Sequence, residues 1–272
     1  MFKIYANFLK EHASEQENSV QSYIINYQKI WLKKASQRHS TWIYLPLQWF
    51  SKLLGLSMLA PVPNHGGEEA IACEISRIKT LKKLDIHVPD ILAHQNNAFI
   101  LKDASPNGEP VTQLEHALSI QETSEQRLTL FSKAIKAIKA LENIHQKNSY
   151  LSEAFARNIL VGTDQKFSFI DFETDPGQYL SLKDCHTRDW LCFIFSTTHC
   201  FEEHELNQAS KLLVNTLKAS PDVFNDICRV GRKITWLLKL KPEKLGNDGK
   251  RLTKCISILQ MLNNQRELNY VS

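Results

Sequence analysis

The sequence predicts a bilobal α+β protein, with a small strand-rich N-lobe over residues 1–104 and a larger, mainly helical C-lobe over 105–272. Three observations carry this reading. Short apolar runs punctuated by turn residues fill the first third of the chain, periods of helical spacing dominate the rest, and a connector near 102–110 separates them. At 272 residues the chain is long enough to bury a sizeable core in one two-lobed unit.

Taken in order, residues 1–35 hold short strand candidates, the clearest at 23–32. An apolar insert follows at 41–62, with Lys52 as its only charge. Pro46, Lys52 and Gly55 argue against a spanning helix, which needs about 20 unbroken apolar residues. Trp42, Tyr44 and Trp49, with Lys34, Arg38 and Lys52 nearby, have the character of a membrane interface. The insert therefore reads either as an internally packed helix or as a peripheral membrane contact. Gly66-Gly67 ends it, and Ile71, Ile75, Ile78 and Leu81 set a helical period over 68–84 that Val88-Pro89 stops. Strands are expected at 91–93 and 98–101, a turn at Asn107-Gly108, and an amphipathic helix over 128–145 with Phe131, Ala134, Ile135, Ile138 and Leu141 on one face. A hairpin comes next, turning at 161–164 into a strand with Phe167, Phe169 and Ile170. Beyond Leu182 the pattern is helical.

Composition narrows the function classes. A net charge of +4 is too small to argue for nucleic acid, which is not an expected partner. The cysteines at 73, 185, 192, 200, 228 and 255 lack close spacing, which favours reduced thiols. Lys3, Lys10, Glu11 and Glu15 break any signal-peptide core, so a cytoplasmic location is expected, with the inner face of a membrane as the alternative. Cys185, His186, Cys192, His199, Cys200 and His204 contain no Cys-x-x-Cys pair and scatter over helical segments, which argues against zinc. His145 reads as capping or packing. The basic tail from Arg229 to Lys254, with Trp236 in its midst, reads as a solvated helical face, with anionic lipid or nucleic acid as the other options. No Gly-x-Ser-x-Gly or His-Glu-x-x-His motif suggests a hydrolase.

The chemistry concentrates at the hairpin. Asn158 and Asp171 stand at its two ends, and two oxygen ligands so placed suit Mg²⁺, which is commonly held by one or two protein groups plus substrate phosphates. Upstream, Lys33 and Lys34 end a strand, and Glu74 sits on the helix that follows the insert.

Lysine on a strand, glutamate on the next helix, Arg-Asn-Ile-Leu at 157–160 and Phe-Ile-Asp-Phe-Glu at 169–173 together resemble the protein-kinase-like superfamily over roughly residues 20–200. The likeness is closest to its compact bacterial branches: lipopolysaccharide core kinases, RIO-type kinases and aminoglycoside phosphotransferases. The resemblance implies a protein-kinase-like fold and an ATP- and Mg²⁺-dependent phosphotransferase acting on a hydroxyl acceptor, such as a lipid, a lipopolysaccharide sugar or a membrane-associated substrate. In that pattern Lys33 holds the nucleotide phosphates and Glu74 holds Lys33. Lys34 stays open as the phosphate lysine because Lys33 shares its strand face with Trp31, whose indole would crowd an adenine. Asn158 and Asp171 bind metal, Glu153 orients the acceptor, and Asp189 braces the catalytic loop. Two departures stand out. Leu151-Ser152-Glu153 replaces the family's His-x-Asp, so the carboxylate reaches one methylene further. No glycine lies between Phe2 and Ile30, so 14–21 would have to supply the phosphate-covering turn. These departures keep open a catalytically weakened, nucleotide-binding scaffold.

Overall fold

The computed structural model describes residues 2–36, 55–64, 66–105, 109–143 and 149–271. Most of the apolar insert, the Asn107-Gly108 turn and His145 lie outside the described residues.

The chain begins with a helix, α1 (Phe2–His12), where the sequence reading placed only strand candidates. Tyr5, Leu9 and Ala13 recur at four-residue spacing and are buried, so the period is helical, although the run is too short to stand out from the polar residues around it. The strand expected over 23–32 is in fact two strands, β1 (Val20–Ile25) and β2 (Gln28–Lys34). Asn26 and Tyr27 both adopt positive φ, 50° and 62°, which gives the two-residue connection whose twist suits a hairpin. Of the segment 14–21, residues 14–19 link α1 to β1 and Val20-Gln21 open β1, with Ser19 and Val20 in the wall of the cleft that also holds Lys33.

Helix α2 (Gly67–Lys83) follows. It stops five residues before Val88, because Asp85 turns left-handed at φ 57° and the Ile86 N–H caps the Leu81 carbonyl. Strands β3 (Ile91–Gln95) and β4 (Ala98–Lys102) complete an antiparallel sheet in the order β1-β2-β4-β3. Alternation along β2 sends Ile30 and Leu32 into a small apolar cluster with Tyr5, Leu9, Ala98 and Ile100. The opposite parity puts Trp31 and Lys33 on the other face.

A second sheet, β5-β6-β7, pairs β5 (Thr112–Gln113), β6 (Ile159–Val161) and β7 (Phe167–Phe169). Helix α3 (Leu114–Ser119) packs on it, and α4 (Ser124–Asn143), α5 (Leu182–Thr197), α6 (Leu206–Leu217), α7 (Pro221–Ile234) and α8 (Asn247–Val271) pack on one another beyond. The protein is thus α+β, as expected, with its antiparallel four-stranded sheet in the N-terminal region and helices dominating the rest. The main core is built on Phe131, Trp190, Phe193 and Phe201, with the Phe131 and Phe193 rings stacked 5.4 Å apart. The described end of the insert joins this core through buried Leu56 and Met58. Arg188 fixes it there by donating to the carbonyls of Ala60 (3.0 Å) and Met58 (3.3 Å). No helix among the described residues is long and apolar enough to cross a membrane.

Candidate active site

The site assembles where the face of β2 carrying Lys33 meets α2 and the open end of the β6–β7 hairpin. Lys33 lies across from Val20 on β1 and Phe99 on β4, so the sheet holds its backbone from both sides. Its ammonium contacts three carboxylates: Glu74 at 2.7 Å, Glu173 at 2.9 Å and Asp171 at 3.0 Å. Lys34, one residue on, points to the opposite face and donates to the Gln16 carbonyl. Parity therefore selects Lys33 as the lysine of the cluster.

Burial sets the electrostatics here. It would push the Lys33 ammonium down, but Glu74, then Asp171 and Glu173, hold its proton and raise it well above the ordinary lysine range. Burial pushes the Glu74 carboxyl up to about 7, against the pull of Lys33. Three carboxylates against one ammonium leave the cluster short of positive charge whenever all three are ionised.

Asn158 and Asp171 reach the site from the hairpin. Strand β6 starts immediately after Asn158, and the Ile170 N–H donates to the Asn158 carbonyl (3.0 Å), closing the ladder at its base. Asp171 then takes φ 70°, a left-handed backbone that Asp tolerates better than most residues and that tends to occur where geometry serves function. The hairpin is tied to the link between α2 and β3: the Phe169 N–H donates to the His87 carbonyl (3.0 Å), and Ser168 Oγ lies 2.6 Å from His87 Nδ1. Asp171 is thus positioned from the same side as Glu74. The carboxylate oxygens of Glu74, Asp171 and Glu173 all fall within 4.8 Å of one another, close enough to share a metal ion. Asn158 lines the same cleft, and its Nδ2 donates to the Glu153 carbonyl at 3.3 Å.

Glu173 was not among the residues expected in the site. Asn64 Nδ2 donates to its Oε2 (2.9 Å), while Asn64 Oδ1 accepts from the Gly66 N–H (2.9 Å) at the entrance to α2. No local period signals it, because β7 ends at Phe169 and the left-handed Asp171 breaks strand parity before 173.

The loop carrying Leu151, Ser152 and Glu153 is held by side chains and not by a sheet. Arg77 donates to the Tyr150 carbonyl (2.6 Å), Asp189 accepts the Leu151 N–H (2.6 Å), and Ser196 Oγ accepts the Ala156 N–H (2.8 Å). Burial pushes the Asp189 carboxyl up to about 7, partly offset by that Leu151 hydrogen bond. Glu153 is ion-paired to Arg188 at 2.9 Å. Ser152 is buried at φ 90°, and its hydroxyl has no hydrogen-bond partner among the described residues. Glycine would relieve both conditions at the cost of greater freedom in the unfolded chain. Ser152→Gly is therefore expected to raise unfolding stability by about 1 kcal/mol in urea titration, and a loss of stability would contradict this account of the loop.

Lys33, Glu74, Asn158, Asp171 and Glu173 line a cleft of about 1480 Å³, whereas Glu153 is not in its wall. Its far wall carries Trp31, with Leu101, Leu160 and Ile170 as apolar neighbours. The Trp31 indole N–H donates to Asp103 Oδ2 (2.6 Å), and Lys29 sits 4.7 Å from the indole centre and 3.4 Å from the same carboxylate. The tryptophan does share the cleft with Lys33, as strand parity requires. No protein-family model matches the chain, and no curated protein matches it in sequence.

Proposed function

We propose that the cleft binds a nucleoside triphosphate, ATP by the resemblance, with Mg²⁺, and that the protein is a phosphotransferase acting on a hydroxyl acceptor. The observation that carries the reading is the convergence of Glu74, Asp171 and Glu173 on Lys33 within 3.0 Å, from α2 and the end of the β6–β7 hairpin. In this reading the four-stranded sheet and the helical region are the small and large lobes of a kinase-like arrangement, with the cleft between them.

The donor set fits a hard divalent cation: the oxygens are all carboxylate or amide, and the carboxylates exceed the available positive charge. Asp171 and Asn158 would hold the ion, with Glu173 as a further oxygen donor. Bound there, the ion supplies charge neutralisation at the phosphates. Lys33, kept extended by Glu74, would place a fixed cation against the phosphate chain. The cleft exceeds the roughly 300–1,000 Å³ typical of small-molecule sites, which leaves room for an acceptor beside a nucleotide. Glu153 would orient the acceptor hydroxyl.

The pairing of Glu153 with Arg188 favours a second reading. A carboxylate already engaged at 2.9 Å is a poor proton acceptor until that pair opens, and Leu151 stands where the family carries histidine. A nucleotide-binding scaffold with weakened catalysis accounts for both features.

Thermal unfolding with and without millimolar Mg·ATP tests the shared claim. Wild type is expected to gain about 3 °C or more, and Asp171→Asn, which keeps the left-handed backbone but removes the charge, is expected to lose most of that gain. An unchanged melting temperature in wild type would sink both readings.

A further inference from the structure

We infer that the face formed by the end of α7 and the 3₁₀ segment after it is a docking surface for an anionic lipid bilayer. Helix α7 directs Val223, Ile227 and Val230 into the core, and its Gly231 lies so close to α8 that an added Cβ would come within 2.9 Å of Leu259 Cβ. Its apolar stripe is therefore already used. The chain then tightens into a 3₁₀ helix, Thr235–Leu240, none of whose residues is buried. Trp236 is 45% exposed and Leu240 is 65% exposed, and Trp236 is the one exposed tryptophan among the described residues.

Charge identifies the occupant. In a 3₁₀ helix, side chains three apart eclipse one another, so Lys239 stands over Trp236. Lys241, in a left-handed conformation at φ 51°, ends the segment, and Lys244 follows in the short 3₁₀ turn Pro242–Leu245. These three lysines are exposed, and Glu243 is the one acidic residue between 235 and 244. An indole and an aliphatic side chain ringed by ammonium groups match the boundary of a negatively charged membrane: the apolar groups enter the acyl region and the lysines meet the headgroups. Nucleic acid would use the cations and the indole but would leave Leu240 without a role, and the whole chain carries only +4. None of these residues lines the nucleotide cleft, so this inference stands or falls separately from the proposed activity.

The experiment is co-sedimentation of the full chain with vesicles of phosphatidylcholine alone or mixed with phosphatidylserine. Binding is expected to the mixed vesicles only, to weaken as salt rises, and to fall at least about tenfold in Trp236→Ser/Leu240→Ser and in Lys239→Glu/Lys241→Glu. Lipid addition is expected to shift tryptophan emission to the blue in wild type and not in Trp236→Phe, a conservative change that keeps the fold. Three results would overturn the inference: no sedimentation of wild type with anionic vesicles, sedimentation of Trp236→Ser/Leu240→Ser equal to wild type, or a blue shift that persists in Trp236→Phe. The last two would place the lipid contact elsewhere in the chain, as with the tryptophans at 42 and 49. Binding of an RNA oligonucleotide in place of lipid, or burial of this face against a second copy of the chain, would equally overturn it.

Discussion

Replacing Lys33 with methionine is expected to lower unfolding stability by about 3–5 kcal/mol at pH 8, because it leaves the buried Glu74 facing Asp171 and Glu173 with no cation between them. The loss should depend on pH with a definite sign. Burial already raises Glu74 from 4.5 to about 7 in the folded protein. A carboxyl with a raised folded pKa stabilises the fold fully below its unfolded value, and that contribution disappears as pH rises through the folded value. For Glu74 the window is about pH 4.5 to 7 and amounts to about 3 kcal/mol by linkage. Without Lys33 the carboxyl rises further, so the deficit of Lys33→Met should shrink on acidification toward pH 5. Urea titrations of both proteins at pH 5 and pH 8 check this. A deficit below about 1 kcal/mol at both pH values would show that the ammonium does not hold the cluster together.

The second large effect is expected at Asp189, which is buried and accepts the Leu151 N–H at 2.6 Å. Asp189→Ala removes the acceptor from the turn that carries Ser152 and Glu153, and is expected to cost about 2–4 kcal/mol. Asp189→Asn keeps an amide oxygen for that N–H and should lose less. It should also flatten the pH dependence. Burial raises the Asp189 carboxyl from 3.8 to about 7, so its contribution in wild type is present below about pH 4 and lost as pH rises toward 7. Equal destabilisation by Ala and Asn would mean that the hydrogen bond to Leu151 does not matter to the loop.

What was legible in the sequence followed from local rules. Helix α2 announced itself through Ile71, Ile75, Ile78 and Leu81, and the hairpin through the turn after Val161, because both obey periods that a short window contains. Strand parity correctly paired Lys33 with Trp31 on the cleft face but could not choose between Lys33 and Lys34. That choice depends on α1 covering the other face of the sheet, and α1 itself was missed because Phe2, Ile4, Tyr5 and Phe8 are residue types that favour strands locally. The strand expected across 23–32 failed at Asn26-Tyr27, where two positive-φ residues without glycine make a weak turn signal. Glu173 went unrecognised because its partners, Lys33 and Asn64, are distant in sequence. Arg188, which pairs with Glu153, carried no signal in the sequence, since its contacts with 58 and 60 arise from the tertiary packing of the insert.

The central claim is that Asp171, Asn158 and Glu173 bind a divalent cation together with a nucleotide beside Lys33. Mn²⁺ titration of the full chain, followed by electron paramagnetic resonance with and without ATP, tests it most directly. The account predicts that the protein removes more free-Mn²⁺ signal with ATP than ATP alone does, that this uptake strengthens from pH 6 to pH 8 as Glu74 gives up its proton, and that Asp171→Asn abolishes it. A free-Mn²⁺ signal in the presence of ATP that is the same with and without the protein would contradict the account.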